Sequence, residues 1–265
     1  IEEVTANLPR LTYSTVGGSP FLLDEEQRTN ILLHSNDASN TVWLKVNANI
    51  SSSLLLSPDN TANSNKFIEN NLFGQRRLRQ TFNAVLGSTY SVSVFVKGAD
   101  RHIALRLRAH TTTGNEAFAV FNTITKTVGA TGGSLFVPIA SVENFDNGWN
   151  RFILTTTVNE NATFAFDLFL TNSPTAIQDY TGDGVSFLDI YENQLEIGNT
   201  ATSTIKTTTA AVTRNADVIT VAPPAGTVKI TTTFSNDTTQ VLTTIPATYT
   251  VPEGIIKSIA MNNVL

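Results

Sequence analysis

Carboxylates are the first residues in this chain whose types and spacing could do chemistry. The stretch "DYTGDG" brings Asp179 and Asp183 close together, and Asp189, Glu192 and Glu196 follow on the next segment. A glycosidase needs only two carboxylates, about 5–9.5 Å apart across a cleft, so a pair among these five is open on sequence alone. The flanking Gly182 and Gly184 favour a turn in which Asp side chains cap backbone amides. Calcium held by Asp179 or Asp183 is a third reading, although the spacing is not that of an EF-hand loop; no other cofactor is expected. His102 and His110 share one face of a proposed strand, but at the strand rise they lie about 26 Å apart, too far to share a metal. Neither a G-x-S-x-G elbow nor a G-x-x-x-x-G-K-[ST] phosphate loop occurs, so the chain is not expected to be an enzyme.

Aromatic side chains point toward binding, because sugar rings present apolar faces that stack on exposed aromatics while their hydroxyls meet polar groups. Trp43, Trp149, Tyr13, Tyr90, Tyr180, Tyr191 and Tyr249 are the candidates. Trp149 follows the turn in "DNGWNRF" and opens a strand, which suits core packing. Trp43 in "NTVWLKV" lies between polar neighbours and suits a binding surface better. The expected glycan-binding set is Trp43, Tyr191, Arg106 and Arg108. The one basic cluster, Arg76, Arg77 and Arg79 in "GQRRLRQ", reads as the exposed face of a strand rather than an anion site.

The elements that must position these residues are strands. In "TYSVSVFVKG", Tyr90, Val92, Val94 and Val96 fall on one face and Ser91, Ser93 and Phe95 on the other. In "RHIALRLRAH", Ile103, Leu105 and Leu107 point inward and His102, Arg106, Arg108 and His110 outward, before "TTTGNE" turns the chain. Further runs follow at "AFAVFN", "SLFVPI", "NRFILTTTV", "TFAFDLFLT" and "VSFLDIYENQLEI". No sustained 3.6-residue apolar period appears; "LLDEEQRTN" and "TANSNKFIEN" are each expected to hold no more than a helical turn. Short strands with frequent turn signals predict an all-β chain, an antiparallel β-sandwich of jelly-roll type followed by a small C-terminal β segment.

Composition sets the limits. The chain has 265 residues, 41% hydrophobic but only 15% charged, so Thr, Asn and Ser must cover much of the surface. A net charge of −5 with scattered signs invites no nucleic acid. No apolar run approaches the ~20 residues that span a bilayer, so no membrane insertion is expected. The absence of cysteine excludes disulfides and thiolate metal sites and fits assembly in a reducing cytoplasm. Ile1 in place of Met suggests a start inside a longer product. Beyond residue 206, strands are expected at 217–221, 227–234, 239–245, 247–251 and 255–261, with "FSNDTTQ" as a hairpin turn. A segment that small is marginal alone and needs a packing partner.

Laid out in order, these pieces resemble a domain family common in bacteriophage tail and appendage proteins, described as carbohydrate-binding-module-like. "IEEVTANLPRLTY" is similar to its entry segment, and "FLLDEEQRTNILLHSND" to its "LLLEPQRTNL" element. "WLKVNANI" resembles its W-x-K segment and "SPDNTANSNKF" its "SPDGTTNADKL" segment; "YSVSVFVKGADR", "NGWNRF", "YTGDG", "NQLEIG" and "AAVTRNADV" complete the series. Residues 1 to 218 are covered. The chain departs from the family where Tyr191, Glu192 and Asn193 replace the W-G-A before "QLE", and where Ala201, Thr204 and Lys206 replace Pro, Tyr and Pro. The resemblance implies an entry segment at 1–30, a jelly-roll domain at 31–206, and an arm with a small β domain at 207–265. It also implies a virion appendage, assembled in the host bacterial cytoplasm, that recognises host surface polysaccharide beside other virion proteins, as an oligomer and by family habit a trimer. A purely architectural virion component and the binding module of a polysaccharide-degrading enzyme are the alternatives. "NTATSTIKTTTAAVTRNADV" is expected to be an extended arm hydrogen-bonded at intervals, with Arg214 anchored to a carboxylate.

Overall fold

Period-two burial organises the chain. The computed structural model describes residues 10–13, 20–110, 114–135 and 138–263. It divides into a unit spanning Thr29–Thr213 and a second combining Glu2–Arg28 with Arg214–Leu265. Residues 1–9 of the entry segment, residues 111–113 of the "TTTGNE" turn, 136–137 of "SLFVPI" and the Tyr13 side chain lie outside the described parts.

The first unit is a sandwich of two six-stranded sheets whose neighbouring strands pair antiparallel. The front sheet runs Thr127–Gly133, Glu116–Asn122, His102–Ala109, Ala162–Thr171, Arg76–Ala84, Leu44–Val46. The back sheet runs Ile139–Asn144, Asn150–Thr157, Thr89–Lys97, Phe187–Ile197, Asn65–Glu69, Ala48–Ser52. Ile103, Leu105, Leu107, Phe164, Phe166 and Leu168 of the front sheet meet Val92, Val94, Val96, Phe152, Leu154 and Ile190 of the back sheet in one core. Each such side chain contributes roughly 1.5–3 kcal/mol on burial. The inward set expected for the His102–Ala109 strand is the observed one. Among the described residues the single helical turn is Asp146–Gly148. The two stretches offered for helical turns contain strands instead, Pro20–Asp24 with Arg28–Asn30 and Asn65–Glu69. In the last of these, buried and half-buried residues alternate, with Phe67 in the core, and that packing overrides weak local preference.

The second unit is a five-stranded sheet in the order Arg10–Tyr13, Pro20–Asp24, Gly254–Asn263, Thr227–Phe234, Thr239–Leu242, with a short ladder of Thr220–Val221 and Tyr249–Thr250. The strands expected beyond residue 206 are present, three of them shorter than expected, and a further short strand, Val212–Arg214, lies in the segment read as an arm. "FSNDTTQ" is the hairpin turn, closed by Phe234 N–H donating to the Thr238 carbonyl at 2.9 Å, with Asp237 left-handed at φ 63°. Its core is small, Ile230, Tyr249, Val251 and Ile256. Arg214 is anchored as expected, its guanidinium 3.3 Å from the Glu25 carboxylate and 3.8 Å from that of Asp217.

The threonine-rich arm is laced to the sandwich. Gln194 donates to the carbonyls of Thr202 and Ser203 and accepts from Ile205 N–H at 2.7 Å. Asn30 donates to the Ile205 carbonyl at 2.9 Å and accepts from Leu195 N–H at 3.1 Å. Thr207 closes the far end, its N–H to Ser35 Oγ and its hydroxyl to the Leu32 carbonyl. Gln194 and Glu196, which alternation puts on the face away from the core, are thereby buried beneath the arm. Leu195 reaches the core, but Ile197 on the same face is exposed at the strand end.

Candidate functional site

Asp183, one of the carboxylates that sequence reading offered for chemistry, turns out to fasten a loop. Asp183 Oδ1 accepts the N–H groups of Val185 and Ser186 at 2.8 and 2.7 Å; its Oδ2 accepts the Ser186 hydroxyl and meets Arg101 at 2.9 Å. Those bonds, the Ser186 hydroxyl first, hold its carboxyl below the usual range. Asp179 is exposed beside the strand Tyr180–Thr181. Asp189, Glu192 and Glu196 are buried; Glu192 accepts from Ser35 Oγ at 2.9 Å and Glu196 from Thr202 N–H at 3.0 Å. Among the described residues no three metal-ligating side chains converge.

The aromatic candidates are corrected by burial. Trp43 is 1% exposed; its indole N–H donates to the His34 carbonyl at 3.1 Å and its ring meets Phe166 edge-on. Tyr191 is 2% exposed and packs between Phe95 and Trp149. Neither ring offers a face to a ligand. Trp149 is a core residue as expected, bonded through its N–H to the Leu56 carbonyl. The hydroxyl of Tyr191 donates to Asp59 at 2.8 Å, where Lys206 also arrives at 2.9 Å. Burial pushes the Asp59 carboxyl up, but hydrogen bonds from Ser57, Thr61, Lys206 and Tyr191 outweigh it and hold the group well below the usual carboxylate range. A depressed carboxyl stabilises the fold above its unfolded pKa of about 3.9, and that stability is lost as pH falls further toward the folded value. Asp59→Asn should therefore flatten the acid limb of a stability curve measured by denaturant midpoint between about pH 5 and 2. An unchanged limb would refute this role.

The expected arginines lead to the site itself. Cross-strand register puts Leu44, Arg79, Asp167, Arg106, Phe118 and Gly132 in one row across the outer face of the front sheet. Beside it on one flank run Arg77, Phe169, Ala104 and Val120, and on the other Thr81, Ala165, Arg108 and Glu116. Asp167 at the centre is fully buried. Arg79 forks onto both its oxygens at 2.6 and 2.9 Å, Arg106 bonds Oδ2 at 2.9 and 3.2 Å, and Arg77 Nε stands 3.7 Å off. Arg106 also lies 4.6 Å above the Phe169 ring and 3.4 Å from Glu116. Arg76, by contrast, points inward: it stacks 3.8 Å from the Tyr180 ring and donates to the carbonyls of Leu72, Gly74 and Tyr180. "GQRRLRQ" is thus one structural cation followed by two on the outer face.

Phe118 completes the surface. Its half-buried ring lies over Gly132, where an added Cβ would come within 2.7 Å of the ring tip. A shallow pocket of about 240 Å³ opens there, lined by Gln75, Arg106, Glu116, Phe118, Thr175 and Ile177 among others. Sequence reading missed Phe118, Glu116 and Asp167. The available signal was R-x-R on two strands, Arg77 with Arg79 and Arg106 with Arg108, with a lone Asp in the otherwise uncharged "TFAFDLFLT" strand that joins them.

Neither a protein-family model nor a curated protein matches the chain. Among solved structures it is similar to the enzymatically active domain of tailspike protein 4 from bacteriophage CBA120, at 11% identity and TM-score 0.40, over 64% of this chain and 21% of that one. It is similar to TmCBM61, solved in complex with β-1,4-galactotriose, at 11% and 0.39, over 64% and 99%. It is also similar to the CBM22-2 xylan-binding domain of Paenibacillus barcinonensis Xyn10C, at 12% and 0.38, over 64% and 98%. Likenesses this distant carry no function, so the chemistry of the site rests on its own side chains.

Proposed function

We propose that the protein is a non-catalytic glycan-binding component of a bacteriophage virion appendage, and that the outer face of the front sheet is its sugar site. The observation that supports this reading is the Phe118 ring, half open over Gly132 and bordered by Arg106, Glu116 and Gln75. A pyranose could stack its apolar face on such a ring while the guanidinium, carboxylate and amide take its hydroxyls. Preorganisation favours the same reading, because Asp167 and Phe169 hold Arg106 from below and little side-chain freedom is left to lose on binding. A shallow site of this kind binds weakly. Several copies on one appendage, a trimer by analogy with the resembled family, would raise avidity by ~10²–10⁴ on a repetitive host polysaccharide.

Phe118→Ala is the direct test. Loss of the stacking surface should weaken glycan binding about tenfold, measured by affinity electrophoresis on whichever glycan a printed array identifies. Because the ring is already half open, thermal stability should change little. Binding that survives Phe118→Ala intact would move the sugar site away from this sheet.

A further inference from the structure

The four arginines on this face outnumber the carboxylates that could neutralise them. Arg77, Arg79, Arg106 and Arg108 share the surface with Asp167 and Glu116, a local excess of two positive charges on a chain of net charge −5. Arg79 and Arg106 each give Asp167 two hydrogen bonds. Arg77 does not: it keeps a long 3.7 Å approach to Asp167, donates to Gln75 Oε1 at 3.2 Å, and its buried Nε has no acceptor. Among the described residues no carboxylate pairs with Arg108, and its Nε is likewise buried without an acceptor. The strain shows in Arg77, whose charged form is disfavoured by burial first and then by Arg79, Arg106 and Arg108, with Asp167 opposing. Guanidinium groups half-removed from water and short of acceptors gain most from an anion that offers several oxygens at once.

We infer that the glycan taken by this face is acidic, its carboxylate or phosphoryl group held by Arg108 or Arg77 while a neighbouring ring stacks on Phe118; this rests on the glycan-binding reading above. The two cations flank Asp167 diagonally across three strands. Strand rise and spacing put their Cα atoms about 16 Å apart, so an oligosaccharide with more than one acidic residue can engage both. A neutral sugar would leave both guanidinium groups as they are and would gain only the stacking and hydroxyl contacts.

The test is an array carrying neutral glycans beside glycans with uronic, sialic, pyruvyl or phosphoryl groups, probed with the full chain. Acidic glycans should dominate, and their signal should fall as NaCl is raised toward 0.5 M. R77Q and R108Q should each weaken acidic binding about tenfold or more, while R108K, which keeps the charge but not the planar fork, should lose less than R108Q. Hits confined to neutral glycans would overturn the inference and leave the glycan reading standing. Acidic hits indifferent to R77Q and R108Q would do the same. Equal retention of a single-stranded oligonucleotide of matched charge would overturn it in favour of a generic polyanion surface. A blank array, with the folded state verified by circular dichroism, would sink the inference and the reading together.

Discussion

Glu69→Gln is expected to destabilise the sandwich by about 3–5 kcal/mol, a large fraction of the roughly 5–15 kcal/mol that a typical domain has in total. The carboxylate is wholly buried and accepts four donors on two oxygens. Arg101 Nη2 and the Asp183 N–H reach one oxygen, each at 2.7 Å; Arg101 Nε and the Tyr180 hydroxyl reach the other at 2.9 and 2.6 Å. A carboxylate has about four acceptor sites, so the group is saturated. Glutamine keeps the shape but replaces one oxygen by an NH₂, which confronts two donors with two more and leaves Arg101 with the half-exposed Asp183 as its remaining charge partner. The loop packs closely here, since a Cβ at Gly182 would stand 2.0 Å from the Asn70 carbonyl oxygen and 2.8 Å from Arg76. The phenol supplies a second readout. Burial first, then the bond to Glu69, holds Tyr180 well above its usual range, so its contribution to stability is present below pH ~10 and lost as pH rises beyond it. Urea midpoints of Glu69→Gln, Arg101→Gln and the double variant should show strong coupling; additive losses would refute the clamp.

That clamp also shows how much was legible. Alternation in "YSVSVFVKG" and "RHIALRLRAH" is a local signal, and those strands lie where it puts them, as do the strands beyond residue 206. The turn reading of "DYTGDG" holds for Asp183 for the same reason, since an Asx cap is satisfied within three residues. Trp43 failed because its neighbours are polar for reasons of their own: Asn40 caps the turn and Lys45 donates to the Asn40 and Trp43 carbonyls, while the indole goes inward. Tyr191 and Lys206 looked like unrelated departures from the resembled family, yet both end on Asp59. Nothing local announces a contact spanning so many residues. The pairing of Pro20–Asp24 with Gly254–Asn263 is hidden for the same reason. Arg106 and Arg108 were placed on the outer face correctly, but the carboxylate that organises the face sits on a neighbouring strand, and strand order is not written in periodicity.

Asp167→Asn tests that organisation directly and should cost about 3–4 kcal/mol. Arg79, Arg106 and, at longer range, Arg77 converge on one fully buried carboxylate, and that geometry makes it the anchor of three cations. Asparagine retains one acceptor oxygen and turns an NH₂ toward guanidinium groups that can only donate. The face would then hold four positive charges against the single Glu116. Arg79, whose charged form is favoured first by its bond to Asp167, loses that support, and Arg106 keeps only the Phe169 ring and the longer approach to Glu116. Like-charge repulsion is screened by salt and relieved by bound anions, whereas the penalty of a cavity or a broken apolar contact is not. The stability deficit of Asp167→Asn should therefore shrink in 0.5 M phosphate much more than in equimolar glycerol, whereas Leu168→Ala on the opposite face of the same strand should show no such phosphate-specific rescue. Equal behaviour of the two variants would mean that Asp167 acts by packing, and that the excess charge on this face has no energetic reality.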